Sequence, residues 1–179
     1  MKPLRHDKDF LTRELLPLRP CVGIALLNPR GEVWLGRRVP KWAGDRARPI
    51  WQMPQGGIDK GEQPRAAALR ELAEETGITS AEIVAEIPGW LTYELPDELI
   101  GVALKGRFRG QRQRWFAMRF TGEEREIDLW ARGPRRAEFD AWKWAPLAEA
   151  PRLIVPFKRA VYERVVSEFA PLVGDRRRR

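Results

Sequence analysis

The sequence predicts an α/β (α+β) domain in layers, with a mixed β-sheet and at least two helices. Three observations carry that expectation. The compact apolar run CVGIALL at residues 21–27 has the character of a buried strand. The stretch PRAAALRELAEETG at residues 64–77 is rich in helix formers, opens on proline and ends on glycine. The segment PFKRAVYERVVSEFAPL carries Val161, Val165, Val166 and Phe169 at helical spacing.

Taken in order, residues 1–17 read as an arm ahead of the domain. No proline interrupts the strand at 21–27, and Asn28-Pro29-Arg30-Gly31 is a turn signal directly after it. GEVWLGRR then reads as the second strand of a hairpin. Residues 39–50, VPKWAGDRARPI, mix proline, glycine and basic residues and read as a surface loop. WQMP is a short strand, and Gln55-Gly56-Gly57 is a turn at which backbone can approach a ligand closely. In the helix that follows, Pro64 fits the first position and Gly77 the stop. Leu69, Leu72 and Ala73 are expected to form its inward stripe. EIVAEI and WLTYEL are strand candidates, QRWFAMRF a central strand, and EFDAWKW a further strand.

Composition narrows the function classes. A chain of 179 residues with 43% hydrophobic content suits one domain with a real core. No stretch approaches the roughly 18 apolar residues of a membrane span. The start, MKPLRHDKDF, is charged and does not resemble a secretion signal. Cys21 is the one cysteine, so no intramolecular disulfide is expected, and with His6 as the one histidine a Cys/His zinc site is excluded. The expectation is a cytoplasmic monomer without a membrane partner. The net charge of +8 and pI of about 10.2 attract polyanions such as nucleic acid or nucleotide phosphates. Arg176 to Arg179 supply four of those charges, leaving 8 − 4 = +4, so residues 172–179 read as a basic tail.

Within this basic chain, Glu71, Glu74 and Glu75 stand at i, i+3 and i+4, which puts three carboxylates on one helix face. Like charges so placed cost an isolated helix a few tenths of a kcal/mol per pair. Taken alone, the pattern is a solvated face relieved by Arg70. The alternative is a divalent-cation site, because Mg²⁺ takes oxygen ligands and works beside phosphate substrates.

Context favours the second reading. Gly56, Glu62 and the run Arg70-Glu71-Leu72-Ala73-Glu74-Glu75-Thr76-Gly77-Ile78 resemble the Nudix box at every defined position. The resemblance implies the Nudix fold, a mixed sheet sandwiched between helices. It implies Mg²⁺-dependent hydrolysis of a nucleoside diphosphate linked to another moiety, with Mn²⁺ or another divalent cation as a substitute. Glu74 and Glu75 are implied as metal ligands, Glu71 as a ligand and a candidate base, and the Gly56 carbonyl as a further ligand. The base varies within the superfamily, so the box leaves it open. Arg70 is expected to orient the helix through a carboxylate such as Glu62.

The flanks LRPCVGIALLN, WQMPQGGIDKGE, GQRQRWF, EFDAWKW and VPFKRAVY, spread over residues 18–171, resemble the bacterial RNA pyrophosphohydrolases and the dinucleoside polyphosphate hydrolases. That likeness adds Glu138 to the implied metal cluster. It implies Arg19, Arg38, Gln111, Gln113, Phe157 and Lys158 as substrate-binding residues. Without it, Glu138 reads as a loop carboxylate and Phe157 as core packing. The family's Tyr-Arg-Pro opening is Leu18-Arg19-Pro20 here, and the loop at 39–50 is longer than in many of the RNA enzymes. The implied substrates are the 5′ end of a triphosphorylated RNA, with pyrophosphate as product, or a diadenosine tetra- or pentaphosphate cleaved asymmetrically. A domain that only binds nucleotide or RNA is the third possibility, and the intact glutamates argue against it.

Overall fold

The computed structural model describes residues 13–40, 48–133 and 137–174. The apolar run predicted as a strand lies in β1 (Leu18–Leu27), where every residue from Cys21 to Leu27 is buried. Its side chains alternate between two cores. Val22, Ile24 and Leu26 face one, and Ala25 and Leu27 face the other.

The strands that follow are β2 (Glu32–Arg38), β3 (Trp51–Gln52), β4 (Gln55–Gly57), β5 (Ala81–Glu86), β6 (Leu91–Glu94), β7 (Gly110–Phe120) and β8 (Phe139–Pro146). The sheet runs β3-β2-β1-β7-β5, with β4 on β1, β6 on β7 and β8 on β2. β1 and β7 pair in parallel from Leu18↔Gly110 to Leu27↔Arg119, while the other pairings are antiparallel. The sheet is therefore mixed, and QRWFAMRF is central to it.

The expected hairpin is present but short. The turn exists, with the Gly31 amide donating to the Asn28 carbonyl at 2.9 Å. Beyond Leu27↔Val33, however, β3 takes over that edge of β2 at Gly36 and Arg37, while β8 pairs along the opposite edge at Glu32–Arg38. The cause is competition, because the lower part of β1 is already paired with β4 at Cys21–Gly23 and with β7 along its length.

Helices cover both faces. α1 (Pro64–Thr76) packs Ala67, Ala68 and Leu72 on Val22, Ile24, Phe116 and Met118. It ends where expected: Gly77 takes φ 74°, open to glycine at little cost, and its amide donates to the Ala73 carbonyl. The inward stripe is shifted from the expected one. Leu69 is 42% exposed, while Ala68, Leu72 and Thr76 face the sheet. Thr76 is accepted inside because its hydroxyl donates to the Leu72 carbonyl at 2.6 Å. The short α2 (Ala150–Leu153) leads to α3 (Arg159–Gly174) on the opposite face. Val161, Val165 and Phe169 of α3 are buried there with Tyr162, whose ring meets Trp115 edge-on at 5.7 Å. Val166 is half-buried.

The residues leading into β1 are tied down. Arg13 bonds Glu94, Asp97 and the Leu95 carbonyl, and Arg109 donates to the Leu16 carbonyl at 2.8 Å. Residues 1–12, the centre of the loop expected at 39–50 and the Arg176–Arg179 tail lie outside the described residues. No described helix is long and apolar enough to cross a membrane.

Candidate active site

A cleft of about 640 Å³ opens at the end of the sheet, where β4 and α1 meet the starts of β1 and β7 and the turn before α3. Gly56, Glu71, Glu75 and Glu138 line it, as do Arg19, Arg38, Gln111, Phe157 and Lys158. Residues that sequence reading placed far apart along the chain thus share one wall-to-wall space. Glu74 and Gln113 stand beside it rather than in its lining.

The acidic wall is built locally. Glu71 projects from α1 onto the turn of β4, and a Cβ added to Gly56 would lie 1.9 Å from the Glu71 Cδ. Only glycine lets this backbone touch the carboxylate. Burial raises the Glu71 carboxyl above its ordinary value, against the lowering effect of Arg70. Glu75 accepts from the Gln55 amide at 3.2 Å.

Arg70 is the hub of this wall. It donates to Glu62 Oε1 at 2.7 Å and Oε2 at 2.8 Å, to the Gly57 carbonyl at 2.8 Å, to Glu71 at 2.8 Å and to Glu74 at 3.3 Å. One guanidinium therefore joins the glycine turn, the loop before α1 and the helix. Its hydrogen bonds, with that of the Asp59 amide, pull the Glu62 carboxyl down to about 2. The orienting role expected for Arg70 through Glu62 has this geometry.

The donors fit a hard divalent cation. Carboxylate and carbonyl oxygens are what Mg²⁺ takes, and Gly56 and Glu71 form a cradle that a side chain at residue 56 would fill. Among the described residues, no three Asp, Glu, His or Cys side chains converge into a finished cage. The reason is visible at Glu74, whose Oε2 is shared by Arg70 and, at 2.8 Å, by Arg132.

The basic wall is assembled from distant segments. Arg38 at the end of β2 is 8% exposed and Lys158 is 6% exposed. The Lys158 ammonium lies 3.3 Å from Gln55 Oε1 and 5.2 Å from the centre of the Tyr93 ring. Phe157 is half-buried and packs on Tyr93, with ring centres 5.6 Å apart. Gln113 is a support: its amide donates to Gln111 Oε1 at 2.8 Å, and its own oxygen accepts from the Trp115 indole at 2.9 Å.

Several lining residues escaped the sequence reading. Tyr93 lay inside an expected strand, and only its pairing opposite Gln111 brings it to the cleft. Arg132 arrives on a loop held by the Asp128 amide, which donates to the Thr76 carbonyl at 2.8 Å. Gln52 is 1% exposed, and its Oε1 has no hydrogen-bond partner among the described residues. Val102, Ala103, Leu104 and Lys105 form part of the rim. The sequence pattern carries no signal for these beyond the aromatic and basic residue types themselves.

Comparison with known proteins places the chain in a family. The NUDIX domain family matches residues 17–165. The RNA pyrophosphohydrolase of Brucella ovis is 57% identical over 164 residues, covering 90% of this chain and 92% of its own. That of Agrobacterium fabrum is 55% identical over 167 residues, covering 90% and 96%. Among solved structures, the dihydroneopterin triphosphate pyrophosphohydrolase of E. coli superposes with a TM-score of 0.60 at 20% identity, covering 85% of this chain and 99% of its own. The Ap4A hydrolase of C. elegans also reaches 0.60, at 19% identity, covering 86% and 99%. These two show a shared fold. With its glycine turn, its carboxylate helix and a family match over most of its length, the chain belongs to the Nudix family of hydrolases.

Proposed function

We propose that this protein removes pyrophosphate from the 5′-triphosphate end of RNA. Water adds across the bond between the α and β phosphorus atoms, leaving a 5′-monophosphate on the RNA and free pyrophosphate. The observation that carries the reading is one cleft in which Glu71, Glu75 and Glu138 share the lining with Arg19, Arg38 and Lys158. The names of the Brucella ovis and Agrobacterium fabrum relatives support the choice of RNA.

Glu71, Glu74, Glu75, Glu138 and the Gly56 carbonyl are the residues that would hold Mg²⁺. When bound, the cation neutralises phosphate charge and lowers the pKa of water. The chain's own groups do the rest. Arg19, Arg38 and Lys158 offset the negative charge that would repel an incoming nucleophile, and the burial of Arg38 and Lys158 strengthens that effect. Gln111, held by Gln113, offers an amide in fixed orientation. Phe157 and Tyr93 supply aromatic surface for the first base.

The test compares triphosphorylated RNA with diadenosine tetraphosphate at equal Mg²⁺. The expected result is faster release of pyrophosphate from RNA, with a monophosphorylated 5′ end as the second product. Much faster turnover of the dinucleotide would replace this reading with asymmetric dinucleoside polyphosphate hydrolysis. Ligand binding without turnover of either would leave a binding module.

A further inference from the structure

The rim of the cleft contains two successive residues in the left-handed region. Leu104 has φ 52° and ψ 36°, and Lys105 has φ 58° and ψ 24°. L side chains are disfavoured there, and two in a row are uncommon outside glycine. Glycines close the turn around them: Gly101 has φ 80° and Gly106 φ 68°, and a Cβ on Gly106 would come within 2.7 Å of the Gly101 carbonyl oxygen. Backbone in sparsely populated conformations persists where the surroundings fix it, and such residues concentrate at ligand clamps.

The surroundings do fix it here. Ala103 is 7% exposed, and Leu104, Leu99 and Ile100 pack on the core that α3 covers. With Leu104 anchored inward, Lys105 is left exposed on the rim of the cleft that holds the glutamates. Among the described residues Lys105 has no carboxylate partner. A rim lysine that only served solubility would need neither the left-handed backbone nor a place in the cleft lining.

We propose that Lys105 binds the first internucleotide phosphodiester of the RNA as the chain leaves the cleft, which makes it a determinant of preference for an RNA end over a free nucleotide. This rests on the RNA reading above. The deep cations Arg38 and Lys158, 8% and 6% exposed, are placed for the polyphosphate near the glutamates. What emerges past the rim is the 3′ continuation of the chain, whose linkage carries one negative charge. A compact ammonium on a flexible stem suits a single exposed phosphate. A free nucleoside triphosphate has no such linkage to offer.

The experiment measures KM for a 5′-triphosphorylated dinucleotide and for the matching nucleoside triphosphate, in wild type and in Lys105→Gln, Lys105→Arg and Lys105→Gly. In Lys105→Gln the KM of the dinucleotide should rise about fivefold relative to that of the nucleotide, the scale of one exposed ionic contact. Its salt dependence should fall by about 0.7 in log–log slope, as for one lost single-strand phosphate contact. Lys105→Arg should keep the wild-type ratio. Lys105→Gly should lose the ratio while its Tm is no lower than that of wild type, because glycine accepts this φ. An unchanged ratio in Lys105→Gln, or a wild type that gains nothing from the linkage, overturns the proposal. The RNA reading fails differently, by faster turnover of diadenosine tetraphosphate than of triphosphorylated RNA.

Discussion

The two walls of the cleft are built in opposite ways. The acidic wall comes mainly from one contiguous stretch, Gly56 to Gly77, in which helical spacing puts Glu71, Glu74 and Glu75 on one face and Arg70 ties them to the turn before the helix, with Glu138 added from just before β8. The basic wall takes Arg19 from β1, Arg38 from β2, Gln111 from β7 and Lys158 from the turn before α3. It exists only once β1 and β7 have paired in parallel, which sets Arg19 beside Gln111. Local periodicity fixes the first wall and tertiary assembly fixes the second. Damage to the first should therefore appear in turnover, and damage to the second in substrate affinity and stability together.

The largest effect is expected at Glu74, where the contrast can be broken most sharply. Glu74 lies beside the cleft, and its Oε2 is shared by Arg70 and Arg132. If it serves only those ion pairs, Glu74→Gln changes stability and leaves kcat alone. If it also serves the divalent cation, kcat falls by at least about two orders of magnitude, the scale for losing one stabilising group. We expect the fall, with a higher Mg²⁺ concentration needed for half-maximal rate. Near-wild-type turnover at saturating Mg²⁺ would remove Glu74 from the metal set.

Phe157 tests the other wall. The ring is half-buried and touches both the core and Tyr93, so packing and base stacking compete for it. Phe157→Ala should lower kcat/KM for a triphosphorylated oligonucleotide about tenfold more than for a nucleoside triphosphate, since base–aromatic stacking contributes roughly 1–3 kcal/mol. Equal losses on both substrates in a folded variant would assign the ring to the core.

This contrast also explains what could be read from sequence. The box residues were legible because nine consecutive residues, Arg70 to Ile78, spanning the end of α1 and its glycine stop, encode both their own conformation and their chemistry. Strand β1 was legible because it is buried on both faces and so is apolar throughout. The β1–β2 hairpin was legible from its turn signal, but its shortness was not: β3 and β4 take the facing edges of β2 and β1, which only the assembled sheet decides. Leu69 was misplaced because alanines fill the inward face of α1, where they let the helix sit close to Val22 and Phe116. Tyr93, Gln52 and Arg132 carry no local mark, and their places depend on sheet register and loop docking.

A smaller effect is expected from Gln113, which never reaches the lining. It is 1% exposed, donates to Gln111 and accepts from Trp115. Gln113→Ala leaves the buried Trp115 indole N–H without its acceptor, at about 1–3 kcal/mol. At this chain length that lowers Tm by roughly 2–4 °C per kcal/mol. Because Gln111 also loses its anchor, KM should rise alongside. A loss of stability with KM unchanged would show that Gln111 is held in place without Gln113.

The smallest effect isolates the link between the acidic wall and the loop before α1. Glu62 takes two hydrogen bonds from Arg70 and one from the Asp59 amide, at 2.9 Å, and these hold its carboxyl down at about 2 against an ordinary value of 4.5. A carboxyl with a depressed folded-state pKa stabilises the fold above its unfolded pKa. That contribution fades as pH falls toward the folded value. The window here runs from about pH 4.5 down to about pH 2. Glu71, raised by burial, acts in the opposite direction, because protonation relieves its cost. The useful quantity is therefore the Tm difference between wild type and Glu62→Gln at each pH, in which the shared Glu71 contribution largely cancels. The difference should be steady from pH 7 to about pH 5, shrink through the window and be close to zero near pH 2. A difference that stays constant across the whole range would mean that Glu62 acts through shape rather than charge, and that Arg70 is held on α1 by Glu71 and Gly57 without it.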